Sequence, residues 1–245
     1  MNLSTRPRSG NARSGLHGTG PRPRPALVAA LCCLGAALLL GACRSSAATD
    51  DRASDDLPSR SRAARALLTA DDVAGYQRTE PENLYPDRSD RPRCLDTLND
   101  LDGGTPAAGT ATQGRIDYAR SQTGPWLRET LRVHRNEKAA EDAYRKAVTA
   151  LSACEKFTVS WSKDGNSGTE SVREIDGPVL GDRSWTARVQ FAGTAFQSTE
   201  TKILVQKGRL FIVIAHAATP DAPPATETGA IARRAVERAV GELPR

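Results

Sequence analysis

The stretch Ile203-Leu-Val-Gln-Lys-Gly-Arg-Leu-Phe-Ile-Val-Ile214 decides the fold. Ile203-Leu204-Val205 and Leu210 to Ile214 are apolar on consecutive residues, so both faces of each run need cover. Lys207-Gly208-Arg209 between them is a compact hairpin connection. The strands Thr199 to Gln206 and Leu210 to Ala217 therefore belong at the centre of a sheet packed on both sides.

Outward from that hairpin, strand patterns come first. Ser184 to Phe191 alternates, with Trp185, Ala187, Val189 and Phe191 on one face and Thr186, Arg188 and Gln190 on the other. Lys156 to Ser162 and Thr169 to Ile175 flank the turn Asp164-Gly-Asn-Ser-Gly168, and Gly114 to Ser121 pairs with Trp126 to Arg135 across Gln122 to Pro125. Helical periods come next. Asn136 caps a helix through Ala153, striped by Ala140, Ala143, Tyr144, Ala147, Val148 and Leu151. After the break at Pro220 to Pro224, Ala225 to Leu243 carries a second stripe. Cys94 opens a short helix with Leu95, Leu98 and Leu101 on its face. Thr69, with Asp72 at N3 and Leu68 and Val73 as a staple, starts another. Arg78 to Pro92 reads as loop. Strands and helices do not alternate as a parallel sheet demands, so the fold class is α+β: a mainly antiparallel sheet with packed helices.

The N-terminus follows a different logic. Five arginines and no acid precede Ala26 to Ala42, an apolar run that closes on Leu40-Gly41-Ala42-Cys43. A basic head, a short apolar core and small residues before a cut site make a secretory signal. The run is shorter than the roughly 20 residues of a bilayer-spanning helix. Its ending resembles the lipobox of bacterial lipoproteins, which makes Cys43 the lipidation site. The organisation is a lipoprotein signal peptide over 1–42, a solvated Ser-, Ala- and Asp-rich tether over 43–61, and a single domain over 62–245. This predicts a protein at the extracytoplasmic face of the cell membrane, held there by an N-terminal diacylglyceryl cysteine.

Charge and cysteine content change once the leader is set aside. It takes five of the 34 Lys and Arg and none of the 29 Asp and Glu, so the remainder is balanced and a nucleic-acid partner loses its support. Cys32 and Cys33 leave with it, and two cysteines remain in the folded part, Cys94 and Cys154. An isolated pair in an oxidising compartment points to a disulfide. Closing a loop of about 60 residues is worth roughly 4 kcal/mol in the chain-entropy model.

Catalytic signatures are missing: no Gly-x-Ser-x-Gly elbow, no His-Glu-x-x-His, no phosphate-binding loop. His134 and His216 end strands, where an imidazole sits at the rim. Asp71 and Asp72 are accounted for by a helix N-terminus. Asp164, Asn166 and Glu170 lack the ligand order of a calcium loop, so a tight turn explains them and no metal or cofactor is implied. Trp126, Trp161 and Trp185 read first as core, with a ligand cleft as the alternative.

Together, the leader, the tether, Leu67-Leu-Thr-Ala-Asp-Asp-Val73, the two cysteines, Leu180-Gly-Asp-Arg-Ser-Trp185 and the Ile203 to Ile214 hairpin resemble the extracytoplasmic sensor domain of actinobacterial PknH-type kinases. That resemblance implies an antiparallel sheet with helices around a broad cleft, a ligand-sensing role and no catalysis. It assigns no ligand-binding residues, and the kinase domains carry two disulfides where this chain has cysteines for one. The expected function is a lipid-anchored, non-enzymatic module binding a small-molecule or cell-envelope ligand. The alternative is a carrier of lipid or another hydrophobic ligand.

Overall fold

The structure is a computed structural model and describes residues 57–81, 85–103, 109–163, 165–194 and 196–243. The leader, Cys43 and residues 43–56 of the tether lie outside the described residues. Nine strands form one antiparallel sheet: β1 (Gln77–Thr79), β2 (Arg88–Ser89), β3 (Thr110–Ala119), β4 (Trp126–His134), β5 (Phe157–Ser160), β6 (Ser167–Glu174), β7 (Arg183–Gly193), β8 (Gln197–Lys207) and β9 (Leu210–Ala218). Their order across it is β1-β3-β4-β9-β8-β7-β6-β5-β2. The β8–β9 hairpin is central, as its consecutive apolar residues require. Four helices, α1 (Arg60–Arg65), α2 (Pro92–Leu101), α3 (Glu137–Ser152) and α4 (Ala225–Glu242), complete the α+β fold. Among the described residues no helix is long and apolar enough to cross a membrane.

Strand alternation sends successive side chains to opposite faces. On the first face, Leu127, Leu131 and Val133 of β4, Ile203 and Val205 of β8 and Leu210, Ile212 and Ile214 of β9 pack with Leu67 and Leu68 and with Ile231, Ala232 and Ala235 of α4. On the second face, Leu204, Phe211, Val213, Trp185 and Ala187 pack with Leu95, Leu98 and Leu101 of α2 and Tyr144, Ala147 and Leu151 of α3. The Asn136 side chain accepts the Ala139 amide at 2.8 Å and starts α3. Cys154 follows that helix, and its sulfur lies 2.14 Å from that of Cys94 in α2.

Three expectations need correction. The chain is structured before residue 62: Ser59 caps α1, and the buried Pro58 accepts a hydrogen bond from Thr112 Oγ1 at 2.9 Å through its carbonyl oxygen. The Thr69 start holds, with Asp72 Oδ2 accepting from the Thr69 amide at 2.8 Å, but only one 3-10 turn follows. Gly75, at φ +81°, turns the chain out of the helix and into β1. The loop expected over Arg78 to Pro92 contains strand residues at both ends. β1 and β2 are short, exposed and without a period, so nothing in the sequence marks them.

Those two short strands bend the sheet. They occupy opposite edges of nine strands, which laid flat at about 4.8 Å spacing would stand roughly 38 Å apart. Thr79 and Arg88 are nine residues apart, a reach of at most about 32 Å. The sheet must curl to bring its edges within reach. Tyr85, on that connection, lies against second-face residues, so the second face is the concave one.

Candidate functional site

The helices α2 and α3 cover only part of the concave face. The rest is a cleft of about 810 Å³, floored by Arg128, Glu200 and Ala215 and walled by Tyr85, Trp161, Phe191 and Phe196. Small side chains at Ala215 and Ala217 of β9 give it depth.

The floor is a chain of ion pairs. Asp117 on β3 accepts from Arg115 Nε at 2.7 Å and from Arg128 Nε of β4 at 2.6 Å. Arg128 Nη1 is also 3.8 Å from Asp102, which follows α2. Asp102 pairs with Lys202 Nζ of β8, and Lys202 also stands 2.9 Å from Glu200. Lys202 is 1% exposed, and burial alone would push its ammonium towards the neutral form. Asp102 and Glu200 more than reverse that and keep it charged. Tyr85 donates to the Asp102 carbonyl oxygen at 3.0 Å, and the Arg128 guanidinium sits 5.2 Å over its ring. Burial, then the Asp102 charge, pushes the Tyr85 phenol up to about 12, so it stays protonated.

The wall is aromatic. The Trp161 and Phe191 rings meet edge to face at 5.3 Å, and Phe191 and Phe196 lie 4.7 Å apart. Phe191 fits because two glycines leave room: a Cβ on Gly168 would come within 2.5 Å of its ring and one on Gly193 within 2.7 Å. Glu170 of β6 pairs in register with Phe191, so its carboxylate stands beside this wall. Burial, then the Glu200 charge, lifts it to about 7, with Lys202 opposing.

The residues singled out in the sequence have other places. Cys94 and Cys154 come together and tie α2 to the end of α3, beside the cleft rather than in it. Both histidines are fully buried instead of at the rim. His216 lies on the first face under α4, its Nε2 2.6 Å from the Tyr76 hydroxyl and its Nδ1 2.8 Å from Thr228 Oγ1. Burial drives its pKa down to about 4. The Thr228 hydroxyl donates to the Pro224 carbonyl oxygen at 3.2 Å, which leaves it to accept from Nδ1; the Tyr76 hydroxyl, 3.3 Å from Glu227 Oε1 as well, then donates to Nε2 at the shorter distance of 2.6 Å. A neutral imidazole satisfied on both nitrogens is structural. Of the tryptophans, Trp185 is core, while Trp126 and Trp161 line the cleft. No cluster of three or more metal-ligating side chains occurs among the described residues. The floor carboxylates and cations escaped the sequence reading. Their one legible signal is charge inside strands whose neighbours are apolar, as at Lys202 beside Ile203.

The fold is that of the extracellular domain of PknH. The crystal structure of that domain, from Mycobacterium tuberculosis, superposes with a TM-score of 0.59 over 75% of this chain and 97% of the other, at 12% identity. No family model and no curated protein matches the sequence.

Proposed function

We propose that this protein is a lipid-anchored, extracytoplasmic sensing module whose ligand enters the concave cleft and leaves it unchanged. The observation that carries the reading is the cleft itself: about 810 Å³ with an ion-paired floor and an aromatic wall. Asp102, Asp117, Arg128, Lys202 and Glu200 of its floor hold one another, and neither His134 nor His216 is among its lining residues. Such a surface can bind and orient a ligand, and among the described residues it offers no nucleophile activated by a base. The fold shared with the extracellular domain of PknH supports the same compartment and a role outside the membrane. The leader that ends at Cys43 supports export and anchoring there, with a diacylglyceryl group on that sulfur. A carrier of acyl chains is the weaker reading, because a charged floor is a poor partner for hydrocarbon.

Protein purified from its own host, taken into native mass spectrometry, tests the binding role. A ligand present at about 100 times its Kd adds roughly 2.7 kcal/mol. That corresponds to about 2–4 °C in Tm for a domain of this size. No co-purifying compound, and no shift with any peptidoglycan fragment, glycolipid or small metabolite of the envelope, would overturn it. For the anchor, Cys43→Ser should abolish incorporation of labelled fatty acid; unchanged labelling would refute Cys43 as the lipid site.

A further inference from the structure

The ion pairs on the floor of the cleft leave one buried carboxylate out. Arg115, Arg128 and Lys202 face Asp117, Asp102 and Glu200, and each cation is already held between or beside carboxylates. Glu170 is left over. Among the described residues it has no ion pair, and its buried Oε2 accepts no hydrogen bond. It stands between Phe157 and Phe191 in the strand register, next to the cluster that Phe191 forms with Trp161 and with Phe196, which is 45% exposed.

Three kinds of ligand can be weighed against that arrangement. Beside Glu170 an anion would face its carboxylate; Arg128 and Lys202 are already held by carboxylates, and the other cations lining the cleft, Arg78 and Arg120, stand at the β1–β3 edge of the sheet, away from β6. A neutral apolar molecule would satisfy the rings and seal an acceptor oxygen with no partner, which is unfavourable. A cation with N–H donors supplies the missing partner, and the faces of the adjoining rings favour positive charge as well. Resting on the cleft-binding role proposed above, we infer that the ligand is an organic cation, with an ammonium group set against Glu170 and an apolar body against Trp161, Phe191 and Phe196.

Titration gives the inference a signature. The groups acting on Glu170 are Glu200 and Lys202 from β8 and Asp102 after α2, and with burial they leave its carboxyl at about 7. Binding a cation favours the ionised form, so affinity for the cation should rise with pH from 6 to 8 and then level off.

The test uses the purified full chain and three probes of one shape: 2-phenylethylamine, 2-phenylethanol and 3-phenylpropanoate, followed by tryptophan fluorescence and by NMR line positions. The amine should bind at least ten-fold more tightly than the alcohol, and the carboxylate more weakly than either. Glu170→Gln should bring the amine down to the alcohol and remove its pH dependence. Phe196→Ala, at an exposed site, should weaken amine and alcohol alike. The probe series needs no variant, so a Glu170→Gln protein that fails to fold leaves the test intact. Alcohol or carboxylate binding as tightly as the amine, or an amine that does not bind, overturns the inference. A neutral or anionic compound co-purifying with the protein would overturn it too, while leaving the cleft-binding role standing.

Discussion

The two faces of the sheet are built from the same strands, one residue out of step, and they solve burial differently. Under α1 and α4 the first face is closed, and two of its buried polar side chains answer to one local need. Glu129, 0% exposed, accepts the Leu68 amide at 2.7 Å, and Tyr118 donates to the Leu68 carbonyl oxygen at 3.0 Å. Two sheet side chains thus satisfy a backbone that has left regular structure. Under α2 and α3 the second face is closed only in part, and where the helices stop, ion pairs replace apolar contacts. A sheet that curls around an uncovered face must line it with groups that tolerate both water and one another. The place where cover ends is therefore the place where a ligand can be met.

The sharpest way to break this contrast is to loosen the cover of the concave face. Replacing Cys94 and Cys154 together with alanine frees a 60-residue separation and should cost about 4 kcal/mol of unfolding free energy. Hydrogen exchange should speed up in α2 before α4. Equal acceleration in both helices would mean that the two faces do not open separately. Next in size is the floor. Lys202→Met leaves Asp102 and Glu200 buried without their ammonium, and breaking a buried pair costs about 3–5 kcal/mol. The low end, near 3 kcal/mol, is expected, because Arg128 remains 3.8 Å from Asp102. Urea denaturation measures it, and a loss below about 1 kcal/mol would show the network to be ornamental to stability.

The smallest effect belongs to the closed face and carries a pH sign. Burial pushes the Glu129 carboxyl up from 4.5 to about 8, partly offset by the Leu68 amide, so the folded protein holds a proton there that the unfolded chain gives up. Stability from this group is complete below about pH 4.5, falls as pH rises towards 8, and is flat beyond. Glu129→Gln should match the parent near pH 5 and exceed it at pH 8 by at least about 1.4 kcal/mol, the worth of a single unit. Parallel stability curves for the two proteins would refute a neutral Glu129.

The centre of the sheet was legible because a strand apolar at every residue has one physical explanation, cover on both faces; Leu210 to Ile214 could belong nowhere else. The caps at Thr69 and Asn136 were legible for a similar reason, since each is completed within three residues. The cleft was not. Asp102 and Lys202 are 100 residues apart, Asp117 and Arg128 are 11 apart on neighbouring strands, and a lone charge in a strand looks the same whether it meets water or a partner. Trp161, Phe191 and Phe196 become neighbours only through the β5-β6-β7 register. Glu170, weighed in the sequence as part of a calcium loop and set aside, takes its character from two phenylalanines on other strands. His216 looked like a rim residue because its partners Tyr76 and Thr228 come from a loop and a helix that the strand pattern does not announce.

The attachment of α1 has a mechanical consequence. Arg62 Nε donates to the Glu242 carbonyl oxygen of α4 at 3.0 Å, and the Pro58 carbonyl is pinned to Thr112 of β3. A pull on the chain ahead of Pro58 is therefore taken up by a helix pair and one strand on the convex side. The load is shared along α4 and the long β3–β4 pairing before it can reach β5 or β6. Force applied at Pro58 would thus spare the concave side.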